Sequence, residues 1–336
     1  MISARPLLLA LPLLAFATQA DARDRLRIVG SEASLKYTQP VAEQFARHWS
    51  QPTPSLEVTG AGVGYQLFCA GVSYQHPDIA TAARPMTEAE RSVCKDNGVT
   101  DITEVEFGRD AIVLVHAGDK SRIDITKGQL FAALASEVPG PEGLVQNASR
   151  HWSDIDASLP KTPILVMAPK PNTSAAIAFQ ENILAEGCKT FPAILELKEA
   201  QRERVCRSLR KDGHVVNANK LEEQVISWLE ENTDAYAAIN FTTFRHFEGR
   251  TALNAIEGVA PSDATIRDGR YPLTTGLYIY LKDQHVKGVP NLQQFLYELT
   301  SERALGPDGY LADRDLVSLD DIGRNRARDE ALKFGI

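Results

Sequence analysis

The sequence predicts an α/β fold arranged as two lobes. Short β-branched runs alternate with stretches of helical period, the pattern of a mainly parallel sheet with both faces covered. A chain of 336 residues exceeds one comfortable hydrophobic core. Residues 111–115, AIVLV, form a continuous apolar run, as expected of a strand buried on both sides or of a crossover between lobes.

Residues 1–22 have the three parts of a secretory signal: Arg5, an apolar stretch over 7–17, and Ala20-Asp21-Ala22 as a small-x-small cleavage site. The mature chain is expected to begin near Arg23. No segment reaches the roughly 20 consecutive apolar residues that a spanning helix needs, and no cysteine precedes Cys69 to carry an N-terminal lipid. The expectation is an exported, periplasmic protein.

Residues 26–29 form a first apolar strand, leading into Gly30-Ser31-Glu32-Ala33-Ser34. Thr38-Gln39-Pro40 is expected to open a helix to about Trp49, with Pro40 in the first turn, where its missing N–H costs nothing. A strand over 56–59 feeds a glycine turn and a helix through Phe68. A third strand covers 78–82, and Thr87-x-x-Glu90 is a capping box for a helix ending near Asn97.

Beyond the 111–115 run, helices are expected over 126–135, 173–185, 196–209 and 220–231, and strands over 164–168 and 235–240. Most of 138–161 is assigned to loops, and 259–269 is turn-rich. Residues 271–282 are strand-like, with Tyr271, Tyr278 and Tyr280 taken as core or hinge packing. Leu292, Phe295, Leu296 and Leu299 give an apolar face at helical spacing.

Residues 55–68, SLEVTGAGVGYQLF, contain the most informative turn, marked by Gly60, Gly62 and Gly64. Glycines between a strand and a helix let a ligand approach bare N–H groups at the positive helix end, a way to hold oxyanions with few lysines. The plain alternative is a tight turn with close helix packing. Nucleotides are scarce outside the cytoplasm, so the geometry points to a small free anion.

The formal net charge of −8 argues against nucleic-acid binding and supplies no long-range attraction for anions. Any anion site must then be local. Four cysteines permit three pairings, of which the local ones, Cys69 with Cys94 and Cys188 with Cys206, are the simplest; each would add roughly 3 kcal/mol. There is no C-x-x-C to suggest zinc, no H-E-x-x-H among the seven histidines, and no G-x-S-x-G elbow.

GSEAS after the first strand, TGAGVG followed by FCAG, PDIATAARPMTEAE, GRDAIVLV and DATIRDGRYPLTTGLYIYL together resemble the phosphate-binding proteins of bacterial ABC importers. The resemblance covers most of 26–115 and 250–300. It implies a two-lobed Venus flytrap, a type II periplasmic binding protein, with 23–113 and 274–336 as one lobe and 114–273 as the other. Crossover strands would form the hinge, and the ligand would lie in the cleft.

The resemblance implies a ligand set of Ser31, Glu32, Ser34, Ala61, Gly62, Arg84, Thr173 and Ser174. Several positions depart from the family pattern. Ala61 stands where the family has serine, Ala82-Ala83-Arg84 where it has A-S-R, and Thr173-Ser174-Ala175-Ala176 where it has an S-G-T motif. Glu32 brings a carboxylate to the first turn, where it would repel phosphate unless a proton were shared. Arg84 suits oxyanions through its guanidinium fork; its alternative role is an ion pair with an acid such as Glu88. The serines and Thr173 could instead cap helices, and Lys170 could supply a second cation.

The function implied is capture of phosphate or a related oxyanion by a monomer that needs no cofactor, catalyses nothing and delivers to an inner-membrane ABC permease. The first alternative is a degenerate homologue that binds another anion, or a protein partner, in signalling or as a scaffold. An exported phosphoester hydrolase is the second, with no metal cluster or activated nucleophile to support it.

Overall fold

In the computed structural model the described residues are 25–118, 122–218 and 222–335, so the expected export signal lies outside them. Strand β1 (Arg27–Gly30) pairs in parallel with β2 (Ser55–Val58) on one side and β3 (Ile79–Ala82) on the other. The intervening helices, α1 (Glu32–Trp49) and α2 (Ala61–Phe68), make these connections βαβ crossovers.

Helix α1 begins at Glu32 and not at Thr38, because Ser31 takes an extended conformation and caps it, its Oγ accepting the Ser34 N–H at 3.4 Å. Pro40 therefore lies inside the helix. Burial of Leu35, Val41, Ala42 and Phe45 on one face outweighs the single backbone bond that the proline forgoes. Helix α3 (Glu88–Asp96) starts at the expected Thr87/Glu90 capping box.

The run at 111–115 is the buried half of a much longer strand, β4 (Ile102–Ala117). Its first half alternates between buried and half-buried positions, which hid it from a search for continuous apolar residues. β4 serves two sheets. Residues 102–111 pair antiparallel with the strand Thr274–Lys282, while 112–115 pair antiparallel with Tyr236–Asn240. The resulting order is β2, β1, β3, Thr274–Lys282, β4, Tyr236–Asn240, Val166–Ala168, Val215–Asn217.

Separate cores pack on the two sides of this crossover. Val41, Phe45, Phe107 and Leu296 belong to one cluster on the β1 side, and Tyr65, Phe68, Met86 and Tyr280 to a smaller one. Val113, Phe131, Trp152, Val166 and Ile226 anchor the core of the other side. The architecture is the two-lobed α/β one expected.

In the second core, helix α4 (Lys127–Leu134) follows a Thr126/Gln129 capping box. The helix expected over 173–185 is α-helical only for Ser174–Phe179 and continues as a π-helical stretch, Gln180–Ala185. The loop assignment of 138–161 missed a hairpin, Glu137–Gly140 with Gly143–Gln146, and a turn of helix at Trp152–Ile155. Both local disulfides form: Cys69–Cys94 ties the end of α2 to α3, and Cys188–Cys206 joins two helical segments of the second lobe. Among the described residues no helix is long and apolar enough to cross a membrane, and no group of three or more His, Cys, Asp or Glu is placed to hold a metal.

Candidate ligand site between the lobes

The three glycines of the turn do different things. Gly60 sits at φ +76, a conformation that favours glycine, with its N–H donating to Gly30 O at 3.2 Å and its carbonyl accepting the Gly64 N–H at 2.9 Å. Nothing lies within 4 Å of a Cβ built on Gly60 or Gly62, so the start of α2 is sterically open. A Cβ on Gly64 would lie 3.5 Å from the Gly30 Cα; this glycine serves packing. The first N–H groups of α2 have no partner within the helix, as at any helix start.

This end of α2 borders a crevice of about 300 Å³. Ala61, Ala83, Arg84 and Pro85 form one wall, and Ser174, Ile177, Ala178, Glu181 and Asn182 the opposite one. Thr274, Thr275, Gly276 and Tyr278, from the strand beside β4, complete the lining. Because its walls come from both sides of the crossover, the crevice lies between the lobes.

Arg84 lines the crevice, but its fork is engaged. Its two terminal nitrogens donate to the Glu90 carboxylate at 2.8 and 2.6 Å, one of them also reaches Pro85 O at 2.9 Å, and the guanidinium stands 5.1 Å from the Tyr65 ring centre. The Glu90 hydrogen bonds raise the Arg84 pKa against the opposing effect of burial, with a further contribution from the charge of Glu181. Burial alone would push the Glu90 carboxyl up; hydrogen bonds from Arg84 and Thr87 bring it below the usual range. The partner is thus Glu90 and not Glu88. Completing the α3 cap turns Glu90 back toward Arg84, whereas Glu88 is exposed.

Of the residues expected to bind ligand, Ala61, Arg84 and Ser174 line the crevice, and Gly62 follows at the open turn. Ser31 and Ser34 do not. Both are fully buried, their Oγ atoms 2.8 Å apart, with Ser34 Oγ also 2.9 Å from Thr81 Oγ1. Glu32 is exposed in the first turn of α1 and lies off the lining. Thr173 is occupied as a cap, donating to Lys170 O at 2.7 Å and accepting the Ala176 N–H at 3.2 Å, and Lys170 is exposed outside the lining.

Sequence reasoning missed Glu181, Asn182, Thr274, Thr275 and Tyr278. A signal was present for the first two: Ser174, Ile177, Ala178, Glu181 and Asn182 follow the spacing of one helical face. For Tyr278 the sequence points to core or hinge packing, whereas the structure also places it on the crevice. Burial pushes its hydroxyl up to about 12, so it stays protonated near neutrality and can donate a hydrogen bond.

A family model described as a PBP superfamily domain matches residues 16–303. The phosphate-binding protein PstS of Staphylococcus saprophyticus is 22% identical over 311 residues, 90% of this chain and 86% of its own length. Protein SphX of a Synechocystis strain is 24% identical over 299 residues, 87% of this chain and 78% of its own. Among solved structures, an ABC-type phosphate transport receptor from Vibrio cholerae superposes with a TM-score of 0.64 at 15% identity, covering 87% of this chain and 99% of that one. At that identity the likeness speaks for the fold.

Proposed function

Because the chain belongs to the PBP superfamily, we propose that it captures phosphate or a related oxyanion between its lobes, carries out no chemistry of its own, and presents the closed form to an inner-membrane ABC permease. The proposed lobes are 23–113 with 274–336, and 114–273. One observation carries this reading: the open N-terminus of α2 and the Arg84 guanidinium share a crevice whose far wall belongs to the second lobe. The names of the relatives, phosphate-binding proteins among them, support it.

The mechanism is a shift of population. Ala61 and Arg84 contact the anion from one side and Ser174 from the other, so both sets are made together only when the lobes close. Closure excludes water, and fixed N–H groups then hold the anion more strongly than they would in solvent. The net charge of −8 leaves this local field as the source of affinity. Export to the periplasm and action as a monomer are part of the same proposal.

Glu90's hold on Arg84 favours a second reading, a homologue that binds another anion or a protein partner in signalling or as a scaffold. A thermal-shift panel on protein stripped of phosphate separates the two. A ligand at 100 times its dissociation constant adds about 2.7 kcal/mol of apparent stability. Stabilisation by phosphate supports the transport reading; no response to phosphate, sulfate or any phosphonate sinks it.

A further inference from the structure

We propose that the crevice takes a phosphorus oxyanion bearing its own ammonium group on a short carbon linker, a phosphonate or phosphoester zwitterion in preference to inorganic phosphate. The inference rests on the oxyanion reading of this crevice.

Its first basis is charge. Among the described residues Arg84 and Glu181 are the only Asp, Glu, Lys or Arg side chains that line the crevice, and Arg84 is already matched by Glu90. No ion pair or side-chain hydrogen bond engages the Glu181 carboxylate among the described residues, although it lies near enough to Arg84 for its charge to act there. The crevice is therefore left with one uncompensated negative charge. A free dianion would be repelled by it. A ligand ammonium would turn that repulsion into attraction while the phosphorus oxygens occupied the α2 turn and the outer face of Arg84.

The second basis is size and polarity. The space of about 300 Å³ is larger than the five heavy atoms of phosphate need. Part of the lining is apolar: Ala83 and Pro85 on one side, Ile177 and Ala178 on the other. Methylene groups suit such walls and inorganic phosphate makes no use of them. The third basis is the backbone, because Glu181 and Asn182 sit on the π-helical stretch Gln180–Ala185, a geometry frequent at functional sites.

The test is calorimetry on the full exported chain, stripped of phosphate, with 2-aminoethylphosphonate, ethylphosphonate and inorganic phosphate near neutral pH. The expected result is binding of 2-aminoethylphosphonate about tenfold or more tighter than ethylphosphonate. Glu181→Gln is expected to remove that preference and to strengthen binding of inorganic phosphate, with an unchanged melting temperature showing that the variant folds. Equal affinities for the two phosphonates, or a preference that survives Glu181→Gln, would overturn the proposal. If phosphate and ethylphosphonate bind and the ammonium adds nothing, this inference falls and the oxyanion reading stands; if no phosphorus oxyanion binds, both fall.

Discussion

Arg84 is gripped by Glu90 through two parallel hydrogen bonds of 2.8 and 2.6 Å, and Glu90 is itself fixed by the Thr87 cap, accepting the Thr87 N–H at 2.8 Å. Arg84, the one cationic side chain lining the crevice among the described residues, is thus oriented by the start of α3, with its charge largely answered by Glu90. In the proposed site an anion would share the guanidinium with a carboxylate, so the pair would set both the direction and the ceiling of affinity.

Substitutions on either side of this pair should act in opposite directions. Arg84→Ala is expected to weaken oxyanion binding ten- to hundredfold, the loss of a charge-assisted hydrogen bond worth roughly 1.5–3 kcal/mol. Glu90→Gln keeps an oxygen for the Thr87 cap but removes the competing charge, and should tighten binding several-fold. Calorimetry of both variants checks this. Equal affinities across wild type and both variants would take Arg84 out of the site.

The fold was legible where local chemistry and burial agree. The Thr87 capping box and the apolar face of Leu292, Phe295, Leu296 and Leu299 follow from spacing, and the two disulfides that form are the local pairings that spacing made the simplest of three. The start of α1 was not, because a proline inside a helix is unfavourable by propensity and was tolerated for the sake of tertiary burial. Of the residues that line the crevice, Arg84, Ala61 and Ser174 were reached through motifs. Helical spacing puts Glu181 and Asn182 on one face with Ser174, but that this face meets Tyr278 and Arg84 depends on how the lobes pack, a long-range relationship that no local pattern encodes.

Breaking the Cys69–Cys94 bond should cost both stability and affinity. It closes a separation of 25 residues, worth about 3 kcal/mol in the chain-entropy model, and for a lobe of this size that is about 6–12 °C in melting temperature. The same bond holds α3, and so Glu90, against the end of α2. Cys69→Ala with Cys94→Ala should therefore melt earlier in differential scanning calorimetry and bind anions less selectively. A melting temperature unaffected by the double substitution would contradict the account.

Acid should act on the second lobe through Arg210 and Asp212. Arg210 is buried and donates to the carbonyls of Ala133 and Ser149 at 3.1 and 2.8 Å as well as to Asp212. The hydrogen bonds from Arg210 lower the Asp212 carboxyl to about 2. A folded pKa below the ordinary 3.8 means that the contribution is fully present above 3.8 and is lost as pH falls toward 2. Asp212 is about half exposed, so solvent screening keeps the effect modest. Urea midpoints of wild type and Asp212→Asn should differ at pH near 6 and converge at pH near 2; a gap that widens on acidification would reverse the assignment.

Two glycines should respond differently to alanine because of what each methyl would meet. At Gly30 the Cβ would fall 2.5 Å from the Thr81 backbone carbonyl oxygen, in a β1–β3 pair whose register holds Gly30 opposite Thr81. Backbone in a parallel ladder cannot step aside. Gly30→Ala is expected to cost about 1–3 kcal/mol, visible as an earlier melt. At Gly276 the Cβ would fall 2.6 Å from the Tyr278 ring edge and hydroxyl, the far end of a side chain that can swing away. Gly276→Ala should leave the melting temperature nearly unchanged, yet lower ligand affinity as the Tyr278 hydroxyl leaves its place in the crevice. If Gly276→Ala unfolded the protein while Gly30→Ala did not, the crevice would owe its shape to something other than Tyr278 lying over Gly276.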